Sequence, residues 1–114
     1  MSGRVLVVCD DLFFWARIHD AAKTRGREAL RIADEETMER AWREGGVATI
    51  LADLGSRSVD LAAWASRWSA RPDSPRLVAF GSHVDADSLE RARRAGFDPV
   101  LPRSRFAVTL GDWI

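Results

Sequence analysis

Short apolar runs alternate along this chain with longer stretches whose apolar residues recur every three or four positions. The runs are Val5 to Cys9, a weaker Ala29 to Ala33, Val47 to Ala52, Leu77 to Phe80, and Pro99 to Leu101. Nearly continuous apolar runs of this length suit strands covered on both faces, and the periodic stretches between them suit helices that do the covering. The first helix is predicted from about Leu12 to Arg25, with Phe14, Ile18 and Ala21 or Ala22 on one face and Gly26 just past its end. The second runs from Asp34 or Glu35 to Glu44 before Gly45-Gly46, and the third from about Val59 to Ala70 before Pro72. Asp85 or Asp87 caps a fourth that ends at Gly96, and a short fifth starts near Ser104 and is cut off by the terminus.

Five strands separated by helices make successive βα units. Right-handed crossovers then favour an α/β fold with a doubly wound, five-stranded parallel sheet in the order 2-1-3-4-5. That order sets strands 1 and 3 side by side, and their carboxyl ends form the switch point where such sheets bind ligands. Asp10 and Asp11 follow the first run and Asp53 ends the third. Three carboxylates converging there can hold a divalent cation, or one of them can accept a phosphoryl group, since oxygen-rich acidic clusters suit Mg²⁺.

Composition narrows the classes. The chain of 114 residues fits one domain, 1–114, and is too short to carry an effector domain as well. Lys+Arg and Asp+Glu both number 17, which argues against nucleic acid or an anionic membrane as partner. One cysteine excludes an intramolecular disulfide, and no signal sequence or long apolar span is present, so a soluble, cytoplasmic protein is expected. There is no glycine-rich phosphate loop and no paired nucleophile and base, so an enzyme or cofactor carrier is not expected.

The order and spacing of these features resemble the receiver domains of bacterial two-component response regulators, which have a flavodoxin-like sheet. Val7-Val8-Cys9-Asp10-Asp11 is similar to the acidic motif of the family's first strand, and Leu51-Ala52-Asp53-Leu54 to its phospho-acceptor segment. Asp60 falls where the following loop usually has an aspartate, and the stretch from His83 through Ala95-Gly96-Phe97-Asp98 to Leu101-Pro102-Arg103 keeps the family spacing. The resemblance implies Asp53 as phospho-acceptor and a weak Mg²⁺ set of Asp10, Asp11, Asp53 and Gly55. A histidine kinase would then be one of the signalling partners.

Several positions depart from that pattern. Cys9 stands at the other acidic position, and a neutral thiol is a poor Mg²⁺ ligand, although a one-residue shift would bring in Asp11 instead. Gly81 stands where the family has a hydroxyl that binds phosphoryl oxygens; Ser82 is adjacent but on the opposite face of a strand. Arg103 replaces a lysine, and its planar fork can hold Asp53 in a bidentate pair. Ser104 replaces the proline that follows. Val100 occupies the place of an aromatic switch and has no ring to swing.

These departures make an atypical, stand-alone receiver that works by protein-protein interaction without phosphate switching the first expectation. The alternative is a working phospho-acceptor in which Arg103 replaces lysine. The bland readings are that Cys9 is a small buried hydrophobe, His83 a local hydrogen-bonding residue, and Arg91, Arg93 and Arg94 a solvated helix face. Five tryptophans are many for 114 residues. Trp64 and Trp68 fit one helix face and the core, whereas Trp15, Trp42 and Trp113 do not all fit one face, so one or two are candidates for a partner. The fourth helix, fifth strand and truncated end, with Val100, Phe106, Leu110 and Trp113, are the expected partner surface, with a homodimer as the simplest consequence.

Overall fold

The computed structural model describes residues 3–114. Five βα units follow in order: β1 (Arg4–Val8), α1 (Leu12–Thr24), β2 (Ala29–Ile32), α2 (Glu35–Glu44), β3 (Val47–Asp53), α3 (Leu61–Ser69), β4 (Arg76–Gly81), α4 (Ala86–Ala95), β5 (Val100–Pro102) and α5 (Arg103–Val108), with a final 3₁₀ turn at Leu110–Trp113. All neighbouring strands are parallel and their order is β2-β1-β3-β4-β5. Alternation along the strands divides the interior in two. Leu6, Val8, Ile50 and Ala52 meet Met38 of α2, Trp64 and Trp68 of α3 and Leu89 of α4, while Val5, Val7, Leu51, Val78 and Phe80 meet Phe14 and Ile18 of α1 and Phe106 of α5.

Aspartates set the helix starts. Asp34, Asp60 and Asp85 each accept a hydrogen bond from the backbone N–H three residues on, at Thr37, Ala63 and Ser88. Such caps satisfy a donor that the helix itself leaves unpaired. α3 therefore begins at Leu61 rather than Val59, and Asp85, not Asp87, starts α4. α4 closes at Gly96, whose φ of 107° is a backbone conformation that side chains disfavour. β3 runs one residue further than its apolar pattern and carries Asp53 at its end.

The end of the chain corrects the expected partner surface. Val100 and Phe106 are 7% and 0% exposed, and Leu110 and Trp113 are half-buried against the α1 side of the sheet. The Phe106 ring stacks on Phe80 at 4.1 Å and meets Phe14 at 5.8 Å. Trp113 Nε1–H donates to Thr109 Oγ1 at 2.9 Å, the Arg76 guanidinium lies 4.7 Å above its ring, and Ile114 is buried. With α5 so short, the apolar face beneath it would lie open unless the last residues folded over it. Val108, 80% exposed, is the one large apolar residue of that segment left in solvent. Trp64 and Trp68 are core residues, stacked at 5.8 Å. Trp15 and Trp42 are half-buried.

Phe106 fills the centre of a three-ring cluster, so its removal leaves a cavity that the stiff strand beneath cannot close. Phe106→Ala is expected to cost about 3–5 kcal/mol in urea unfolding followed by tryptophan fluorescence. A cost below about 1 kcal/mol would mean that α5 is not part of the cooperative core.

Candidate functional site

Asp53 sits at the carboxyl end of the central strand and is 3% exposed. Its Oδ1 accepts from the Gly55 backbone N–H at 2.9 Å and from an Nη of Arg103 at 2.6 Å. Its Oδ2 faces the Cys9 thiol at 3.8 Å. A buried carboxylate needs compensation, and here a cation and a backbone donor supply it directly.

The expected pair between Arg103 and Asp53 forms, but not as a bidentate fork. One Nη meets one oxygen, because the guanidinium lies over the rings of Phe14 and Phe80, 5.8 and 5.9 Å from their centroids, and offers a corner rather than an edge. Gly55 lets the backbone come close. A Cβ there would lie 3.3 Å from Asp53 Oδ1 and 3.5 Å from the Arg103 nitrogen.

The expected convergence of three carboxylates is also corrected. Asp11 is the N-cap of α1, and its Oδ1 accepts from the N–H groups of Phe13 and Phe14 at 3.0 and 3.1 Å. Asp10 turns to the β3–α3 loop, where its oxygens accept from the Arg57 N–H at 3.0 Å and the Ser58 hydroxyl at 2.8 Å. Its own N–H donates to Ser56 Oγ at 2.9 Å, so the two loops are clasped reciprocally. Each carboxylate satisfies a nearby backbone donor, which removes it from the shared point. Among the described residues, no three His, Cys, Asp or Glu side chains gather to hold a metal ion.

Cys9 occupies the position beside Asp53. Burial, with the Asp53 carboxylate next to it, pushes its thiol up from an ordinary 9.0 to about 11. The group is therefore a neutral S–H, 3.3 Å from the Asp11 carbonyl oxygen. With a thiol beside Asp53, that carboxylate ion-paired, and Asp10 and Asp11 engaged by backbone donors, the side chains as placed do not form the near-octahedral oxygen set that Mg²⁺ binds tightly.

Gly81 ends β4 across from Leu54. A Cβ at Gly81 would lie 3.3 Å from Leu54 Cβ and 3.5 Å from Leu89 Cδ2, so a side chain there would fit only if Leu54 gave way by a few tenths of an ångström. Ser82 does not replace it: its exposed hydroxyl accepts from the Val84 N–H at 3.4 Å within the β4–α4 loop. His83 is exposed in the same loop.

Sequence reasoning missed the residues that brace this end of the sheet. Arg31 Nε donates to the Cys9 carbonyl at 2.9 Å and ties β2 to β1. Glu35 accepts from the Asp60 N–H at 2.6 Å and from Trp64 Nε1–H at 2.7 Å, tying α2 to α3. The available signals were an arginine inside an otherwise apolar strand and the short polar run Ser56-Arg57-Ser58 directly after the Asp53 turn.

No protein-family model matches the chain, and no curated protein matches it. Solved structures do. A response regulator from Thermotoga maritima superposes with a TM-score of 0.76 at 17% identity, over 98% of this chain and 93% of that one. The beryllofluoride-activated NtrC4 receiver domain dimer gives a TM-score of 0.76 at 18% identity, over 96% and 93%. The phosphorylated cyanobacterial phytochrome response regulator RcpA gives a TM-score of 0.75 at 15% identity, over 98% and 88%. The fold is the flavodoxin-like receiver fold of response regulators. Among the described residues, no helix is long and apolar enough to cross a membrane.

Two measurements follow from this geometry. Arg103→Ala strips a buried carboxylate of its cation; because the Arg103 side chain is 40% exposed, solvent screening limits the loss to about 1–2 kcal/mol. Asp53→Asn in the same chain should recover part of that loss, and strictly additive thermal melts of the four proteins would rule out the interaction. The second concerns Cys9. The folded protein holds the thiol proton more tightly than the unfolded chain does, so this stabilisation is complete below about pH 9 and lost as pH rises towards 11. The loss is on the order of 2 kcal/mol and should be absent in Cys9→Ala. The chain has no tyrosine, and Lys23 is its single lysine.

Proposed function

We propose that this protein is an atypical receiver in signal transduction that acts by binding other proteins and does not switch on phosphate. The observation that carries the reading is the state of Asp53. Its Oδ1 is already neutralised by Arg103 at 2.6 Å and by the Gly55 N–H, while a neutral thiol and a glycine backed by leucines stand where the family places an acid and a hydroxyl. A phosphoryl group on Asp53 would add charge to a site with no second carboxylate turned toward it to share a cation. On this reading Mg²⁺ is not a cofactor, the protein is not an enzyme, and it works in the cytoplasm.

Exposed apolar side chains support partner binding at the same end of the molecule. Leu12 and Phe13, at the start of α1, are 62% and 89% exposed, and Val84 in the β4–α4 loop is 79% exposed. Large apolar groups held in solvent beside the Asp53 end of the sheet fit a docking role better than a solvated rim. The partner is a signalling protein, with a second copy of this chain as the simplest case.

One observation favours a second reading. Among the described residues, Asp53 Oδ2 has no donor closer than the Cys9 sulfur at 3.8 Å, so one carboxylate oxygen is not engaged as Oδ1 is. A phospho-acceptor charged by a histidine kinase would use that atom, with Arg103 standing in for lysine and Mg²⁺ bound weakly.

Beryllofluoride with millimolar Mg²⁺ separates the two readings. Tryptophan fluorescence and amide spectra should show no saturable change, and Asp53→Asn should behave like the parent protein. A saturable, Mg²⁺-dependent change that Asp53→Asn abolishes would establish the phospho-acceptor and overturn the phosphate-independent reading.

A further inference from the structure

A groove of about 290 Å³ opens between α3 and α4, next to the loop that follows Asp53. Its walls are largely apolar, formed by Leu54, Val59, Leu61, Ala92 and Phe97. Three polar side chains besides Arg91 reach it. Asp60 caps α3 through Oδ1, Ser88 Oγ donates to Asp85 Oδ2 at 2.7 Å, and Ser56 Oγ is taken by the Asp10 N–H.

The charge on the rim is uneven. Arg93 and Arg94 share Glu90 at 3.5 and 3.4 Å, whereas Arg91 has only the Ser88 hydroxyl at 3.2 Å and, among the described residues, no carboxylate within ion-pair distance. Asp60 and Asp85 are engaged as helix caps, and Asp87, one turn before Arg91 on α4, is not within ion-pair distance of it. The groove thus combines an apolar floor of one small ligand's size with one guanidinium free to take an anion.

We propose that the α3–α4 groove binds a short apolar carboxylate, its chain against Leu61 and Phe97 and its carboxylate on Arg91. The site stands apart from Asp53 and holds whether or not that residue accepts a phosphoryl group. It is nevertheless mechanically adjacent to it. Leu54 follows Asp53, lines the groove, and closes over Gly81, so a ligand that moves Leu54 also moves the packing beside the acidic site.

Hexanoate, hexanol and hexylamine share one chain and differ in charge, so titrating each into the ¹⁵N-labelled protein tests the assignment. Hexanoate should give saturable shifts at Leu54, Leu61, Ala92 and Phe97, extending to Gly81. Hexanol should bind more weakly, by up to about fivefold, the most that one exposed ion pair supplies. Arg91→Gln should bring hexanoate down to the level of hexanol while its melting temperature stays that of the parent. The proposal fails if hexanol equals hexanoate, if hexylamine binds best, if Arg91→Gln leaves hexanoate unaffected, or if the shifts lie elsewhere or do not saturate at the solubility limit. Beryllofluoride in the presence of hexanoate keeps this outcome separate from the fate of Asp53.

Discussion

A carboxylate at the end of a central strand, 3% exposed, is the constraint to which the rest of the site answers. Burying a charge without a partner costs several kcal/mol, so the fold must neutralise it, bind a cation beside it, or leave it protonated. This chain neutralises it with Arg103. Once the counter-charge is covalently built in, a second buried acid at position 9 would reintroduce the repulsion that the arginine removes, and a thiol of similar size avoids it. Asp10 and Asp11 remain acidic without penalty because they are solvent-exposed and their oxygens cap backbone N–H groups rather than face Asp53. Cys9 and Arg103 therefore act together as one balanced arrangement of local charge around Asp53.

The fold was legible because its signal is collective. Five apolar runs with helical stretches between them leave few topologies, and the observed order β2-β1-β3-β4-β5 is the expected one. Errors fell where a single side chain decides. Asp60 moved the start of α3 by capping it, and the same chemistry at Asp11 took away a presumed metal ligand. A capping aspartate and a ligating aspartate are the same residue in a sequence, and only the direction of the side chain distinguishes them. The pairing of Asp53 with Arg103 was readable through the family resemblance, which sets both residues at the carboxyl ends of their strands. Its single-contact geometry was not, because it depends on how the Phe14 and Phe80 rings sit beneath the guanidinium.

The terminal segment failed in the opposite direction. Phe106, Leu110 and Trp113 looked like an uncovered patch because a helix of so few turns cannot hide its own apolar residues. The counterpart was missing from that view: α1 and the outer face of β4 also present apolar surface, and the final turn folds onto it. Apolar residues near a chain end can complete a core as readily as they can await a partner, and the sequence distinguishes the two only through what else is left uncovered.

The two faces of the sheet are consequently unequal as routes away from the site. On the α1–α5 side, Arg103 lies over Phe14 and Phe80, and Phe80 is stacked face to face with Phe106 at 4.1 Å, so movement of the arginine must work against a close-packed aromatic cluster. Val100 of β5 is buried and β-branched, with little freedom at χ1. On the α3–α4 side the contact is softer. Leu54 is only half-buried, it meets a glycine instead of a side chain at position 81, and it borders an open groove. Packing is therefore closest on the aromatic face that anchors the arginine and most open where Leu54 borders α3 and α4.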